Sequence, residues 1–167
     1  MNKNLVIGLL GKSGSGKSYL WSKLFGREVK TGKRLRKLFL TENEYIEVFL
    51  VNVAAAKRKK FIGEIVTIEK PEIILCSMDY SPGVLKTIDY FSKNEYSMTV
   101  FWLNPGYNED YDPELFYTLG VINLLIEKNA VIARRNGKKD PGFLILEIKK
   151  YLYGWAKFNG LIKTTIK

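Results

Sequence analysis

The chain has 167 residues, 46% of them hydrophobic, enough for one domain that buries its own core. It contains no histidine and a single cysteine, which excludes a histidine general base, a His-ligated metal site and an internal disulfide. Lys and Arg number 27 against 17 Asp and Glu, and the formal net charge of +10 favours anionic partners: nucleotides, acidic proteins, nucleic acid or an anionic surface.

No apolar run approaches the roughly 18 residues of a membrane span, and Met1 to Asn4 lead straight into an apolar segment. A cytoplasmic location without a transmembrane segment is the expectation. The first apolar run, residues 5–10, predicts a buried strand, and the helix-period segment at 17–25 predicts a helix. Between them lie Gly11, Lys12, Ser13, Gly14, Ser15, Gly16, Lys17 and Ser18, which fit G-x-x-x-x-G-K-[ST] in the strand–loop–helix context that this motif requires. Glycines let successive amides point into one concavity, and the following helix adds its positive dipole end, so phosphate oxygens fit there. Lys17 is then the cation that reaches the β- and γ-phosphates and stabilises charge during their transfer, and the Ser18 hydroxyl takes one position on Mg²⁺.

Residues 26–37 carry six cations and no clear period, and predict a mobile basic loop. Strands follow at 35–41 and 45–52, joined by a turn short enough for an antiparallel hairpin. The cationic run Lys57 to Lys60 reads as a solvated turn or short helix, with phosphate binding as the alternative. A buried strand is expected at 72–77, where Cys76 reads as a small buried hydrophobe. Asp79 follows it. It reads first as a cap or turn carboxylate and second as the Mg²⁺ partner or base of an ATPase or kinase.

Ser81-Pro82 predicts a capped helix at 83–93, then a strand at 98–103 and a helix at 114–128 opened by Asp112-Pro113. A last strand at 130–133 precedes a helix opened by Asp140-Pro141 and closing near Gly154 or shortly after, with Leu144, Ile148, Tyr151 and Trp155 on one face. Residues 1–157 thus form a single domain, and 158–167 a basic tail that either packs back or stays loose. The predicted fold class is α/β, three-layered, with about six mostly parallel strands between helices on both faces. The glycine-rich loop falls at the carboxyl edge of that sheet, where open α/β sheets bind ligands. The aromatics Tyr107, Tyr111, Phe116 and Tyr117 stand among acidic residues, which disfavours a nucleic-acid stacking platform there.

With its single phosphate loop, basic loop, hairpin and three βα units, the chain resembles the G domain of Ras-like small GTPases, a P-loop NTPase family. The resemblance spans nearly the whole chain, and only the loop is motif-specific. It implies GTP or GDP with Mg²⁺ as ligands, with ATP as the alternative. The family's third strand ends in D-x-x-G, matched here by Asn52-Val53-Ala54-Ala55, so Asn52 becomes the weakened metal partner and Ala56 stands where the water-orienting Gln would be. The family's N-K-x-D keeps only Asn104 here, and its base-supporting loop corresponds to Ile132-Ala133-Arg134, so Ala133 and Arg134 are the implied base contacts. Thr31 or Thr41 would be the threonine that senses the γ-phosphate. The implied function is a regulatory nucleotide-binding protein with slow or partner-assisted hydrolysis. The alternatives are a nucleoside or nucleotide kinase with Asp79 as base and Arg134 and Arg135 as lid, and an interaction module indifferent to nucleotide.

Overall fold

The structure, a computed structural model, describes residues 2–108 and 119–166. At its centre is β1 (Leu5–Gly11), whose seven residues are all buried. A strand apolar on both faces needs neighbours on both edges and helices on both sides. Parallel strands β4 (Ile73–Asp79) and β5 (Ser97–Leu103) supply the edges, with Leu5 level with Ile73 on one side and Ser97 on the other. Beyond β4 lies β3 (Glu44–Val51), parallel to it through Phe49, Leu50 and Val51, and beyond β5 lies β6 (Val131–Arg135).

β2 (Arg36–Phe39) closes the sheet as the antiparallel partner of β3, the hairpin that the short turn predicts. The strand order is β2-β3-β4-β1-β5-β6. A seventh strand, β7 (Lys163–Thr164), pairs antiparallel with Glu44 and Tyr45 of β3. The tail therefore packs back.

Alternation along β1 divides the core. Val6 and Leu10 face one cluster with α2 (Ile62–Ile65), α3 (Gly83–Lys93) and α4 (Val121–Glu127), whereas Leu5, Ile7 and Leu9 face another with α1 (Lys17–Phe25) and α5 (Pro141–Asn159). Helices thus cover both faces of a mostly parallel mixed sheet. Trp21 of α1 is fully buried, and its indole N–H donates to the Ser77 hydroxyl of β4 at 2.8 Å, which fixes α1 across the centre of the sheet.

Several boundaries differ from the sequence expectation. The Asp140 side chain accepts from Gly142 N and caps α5 as predicted, but the helix runs past Gly154 to a left-handed Gly160. Its buried stripe of Leu144, Ile148, Leu152 and Ala156 continues unbroken, so one exposed glycine costs about 1 kcal/mol and does not end it. Tyr151 and Trp155 flank that stripe instead of forming it. Ser81 supplies no side-chain cap to α3, and its hydroxyl is buried with no hydrogen-bond partner. The start expected for α4 at Asp112-Pro113 lies outside the described residues, as do Tyr111, Phe116 and Tyr117. Among the described residues no helix is long and apolar enough to cross a membrane.

Candidate functional site

Three carboxyl ends converge at one edge of the sheet: those of β1, β4 and β3. From β1 the chain turns through residues 11–18 into α1. The turn depends on Gly14 and Gly16, at φ +80° and +96°, a left-handed backbone that side chains disfavour. No side chain caps α1, so its first-turn amides open toward the loop. Lys12, Ser13, Gly14 and Ser18 are exposed, while Ser15 and Lys17 are buried.

The Lys17 ammonium sits under the loop. It donates to Gly11 O and Lys12 O, each at 2.9 Å, and to the Ser15 hydroxyl at 3.1 Å. Asp79 Oδ1 lies 2.8 Å from the same nitrogen. Burial pulls the Lys17 pKa below the ordinary lysine value, nearby Lys57 adds to that, and Asp79 opposes it. Parallel register explains the pairing, since Gly11 at the end of β1 stands level with Asp79 at the end of β4, and Tyr80 N donates to Gly11 O at 3.0 Å. The cap or turn role expected first for Asp79 gives way to an ion pair with the loop lysine.

Asn52 follows β3, one strand farther from β1 than Asp79. Its backbone N–H donates to Thr31 Oγ1 at 2.8 Å and its Nδ2 to Val29 O at 2.8 Å. Its Oδ1 is buried with no hydrogen-bond partner. Ser18, Asn52 and Asp79 line one pocket of about 340 Å³ together with the loop, Lys57, Tyr107 and Asn108. Thr31 and Thr41 stand at opposite ends of β3. Thr31 reaches the carboxyl end of β3, whereas Thr41 sits in the hairpin turn at its amino end, where its hydroxyl accepts from Glu44 N.

Asn104 is buried at the end of β5, and its N–H donates to Arg135 O. Ala133 and Arg134 lie within β6, level with Phe101 and Trp102. Arg134 donates to Asn104 O and stacks over the Trp102 ring, and Arg135 pairs with Glu147 of α5. None of these four residues lines either pocket beside the loop. Residues just beyond them do. Tyr107 N donates to Ser15 O at 3.1 Å, and Gly106 packs so closely that a Cβ there would lie 2.5 Å from Ser15 Cβ. A second pocket of about 330 Å³, with Gly16, Tyr19 and Leu20 on one side and Tyr107, Gly137 and Lys138 on the other, opens beside the start of α1.

Lys57 reaches the loop as well, with its ammonium 3.4 Å from the Ser13 hydroxyl. In the sequence it is one of four equivalent cations, and only its place just after β3 sets it apart. Ala56 lies away from the pocket, against Gly83 of α3. Cys76 is fully buried and its thiol pKa is pushed up by that burial, consistent with an inert packing residue.

No family model, curated protein or solved structure significantly matches the chain. The chemistry therefore rests on the geometry. Free amides at a helix start, a buried lysine and a carboxylate beside it suit a phosphate chain. Among the described residues no three His, Cys, Asp or Glu side chains cluster as a metal cage. Mg²⁺ does not need one, because it is commonly held by one or two carboxylates and substrate phosphates. The Ser18 hydroxyl, the unpartnered Asn52 Oδ1 and Asp79 fit that donor set.

Proposed function

We propose that this protein binds a nucleoside triphosphate as its Mg²⁺ complex on residues 11–18 and uses it as a small regulatory P-loop protein with slow or partner-assisted hydrolysis. The observation that carries the reading is the placement of Lys17 beneath its own loop, held by Gly11 O, Lys12 O, Ser15 Oγ and Asp79. Asp79 offsets part of the burial cost of the ammonium and all four contacts position it, so a phosphate meets a cation whose ordering cost has already been met by the fold.

In this reading the loop amides would hold phosphate oxygens, Lys17 would neutralise developing charge and Ser18 would hold the metal. Asp79 supplies the carboxylate that the Ras-like pattern would place after β3, where Asn52 stands. Bound Mg²⁺ would supply charge neutralisation on the phosphate chain. Thr31 and Asn52 tie segment 26–35 to the pocket, which makes that segment the responder to the terminal phosphate. The nucleoside would lie in the pocket between Tyr19 and Lys138, with Tyr107 as its wall. Among the described residues nothing in that wall repeats the acidic guanine contact of Ras-like proteins, so GTP and ATP are both candidates. The test is phosphate release from each, with and without Mg²⁺. Slow release lost in Lys17→Ala supports the reading, and release indifferent to that change contradicts it.

A kinase reading draws on Asp79, a carboxylate at the pocket next to the loop lysine. Product formation that required a nucleoside or nucleoside monophosphate acceptor, and failed in Asp79→Asn, would select it. Arg134 and Arg135 lend it no support, being engaged with Asn104, Trp102 and Glu147.

A further inference from the structure

We propose that a basic groove formed by α1, segment 26–35 and β2 binds single-stranded nucleic acid. The groove has a volume of about 950 Å³. Five of its cations, Arg27, Lys33, Arg34, Arg36 and Lys37, come from one short stretch of chain. Lys23 of α1 and Lys149 of α5 line it as well. Among the described residues no Asp or Glu lines the groove and none of these seven cations pairs with a carboxylate. Much of the chain's net charge of +10 is therefore concentrated, unneutralised, in one concave site.

Two further observations select the ligand. Arg36 lines the groove and is anchored by donation to Lys30 O. An ordered guanidinium on a cationic wall suits an anionic oxygen, and arginine matches phosphate better than lysine does. Apolar surface is also interleaved with the cations. Phe39 is 43% exposed and Leu35 40% exposed, and both line the groove with Phe25. A single strand alternates phosphates with planar bases, which calls for cations alternating with ring faces. Inorganic phosphate has no use for the rings, and a planar bilayer meets a concave site poorly.

Along α1, Lys23 at the groove lies six residues beyond Lys17, about 9 Å at 1.5 Å per residue, and no groove residue lines the pocket beside the loop. The proposal therefore does not rest on the nucleotide reading. The rings that stand among cations here are Phe25 and Phe39, apart from the aromatics near residue 107.

The test is fluorescence anisotropy of labelled oligothymidylate and oligouridylate with the full chain across a salt series. Lys33→Glu with Arg34→Glu changes two exposed groove residues, and Arg58→Glu with Lys60→Glu makes the same charge change in the exposed turn after β3. The groove pair should weaken binding at least tenfold and flatten the log–log salt slope by more than about one unit, since each phosphate contact contributes about 0.7. The control pair should stay within about threefold of the parent, as long-range charge alone is screened. Phe39→Ala should weaken binding about tenfold and leave the slope unchanged. Equal losses in the groove and control pairs, or no binding at low salt, would overturn the proposal. So would groove-dependent capture of phosphatidylserine vesicles without groove-dependent capture of oligonucleotide.

Discussion

Lys17 Nζ lies 2.8 Å from Asp79 Oδ1, joining the first residue of α1 to the last residue of β4. The two are 62 positions apart in sequence, and their meeting follows from β4 lying directly against β1. Both are largely buried, at 8% and 14% side-chain exposure, so the pair is held in a poorly screened environment.

Asp79→Asn keeps the shape and removes the charge. It should cost about 2 kcal/mol of stability, the scale of a hydrogen bond to a charged group, as read from denaturant unfolding. Mg²⁺-dependent nucleotide affinity should fall at least tenfold. A capping or turn role would leave that affinity unchanged.

The lowered pKa of Lys17 has a direction that pH titration can read. The folded protein gives up this proton at lower pH than the unfolded chain does. Between the depressed folded value and the ordinary value of 10.5, the unfolded chain binds more protons, so this group makes stability rise with pH across that window. Lys17→Met should abolish that rise in chemical denaturation. Phosphate binding favours the charged ammonium, so nucleotide binding in the same window should take up protons. Calorimetry in buffers of different ionisation enthalpy measures this uptake, which should vanish at lower pH, where Lys17 is already protonated before nucleotide binds.

Thr31→Val removes the acceptor for Asn52 N at 2.8 Å and Val53 N at 3.4 Å. Amide exchange at these two positions should quicken about tenfold, equivalent to the roughly 1 kcal/mol of one net hydrogen bond. Exchange within β1 should be unaffected. Thr41→Val should leave both amides as they are.

Asp140→Ala removes the cap on Gly142 N and should cost about 1 kcal/mol in thermal or denaturant unfolding, with nucleotide and oligonucleotide binding unchanged.

Much of this arrangement was legible in the sequence where the signal is local. The apolar run before Gly11 marks β1, helix α3 occupies the predicted 83–93, and Asp140-Pro141 opens α5. The short turn after Thr41 foretells the β2–β3 hairpin. What the sequence withholds is lateral order. Nothing local states that β4 lies between β1 and β3, and that order brings Asp79 to Lys17 and sets Asn52 one strand away. Alignment by motif spacing also places the base contacts at Ala133 and Arg134, inside β6, whereas the residues that flank the loop begin at Gly137, once the strand has ended. The basic groove is similarly dispersed, since Lys23 and Lys149 are remote in sequence from residues 27–37 and only the packing of α1 on α5 collects them.

The most direct measurement is calorimetric titration of nucleotide-free protein with GTP, GDP, ATP and ADP, with and without Mg²⁺, beside Lys17→Ala. The account predicts one site per chain, tighter with Mg²⁺, and lost in the variant. No heat of binding from any of the four, or equal affinity in Lys17→Ala, would contradict it.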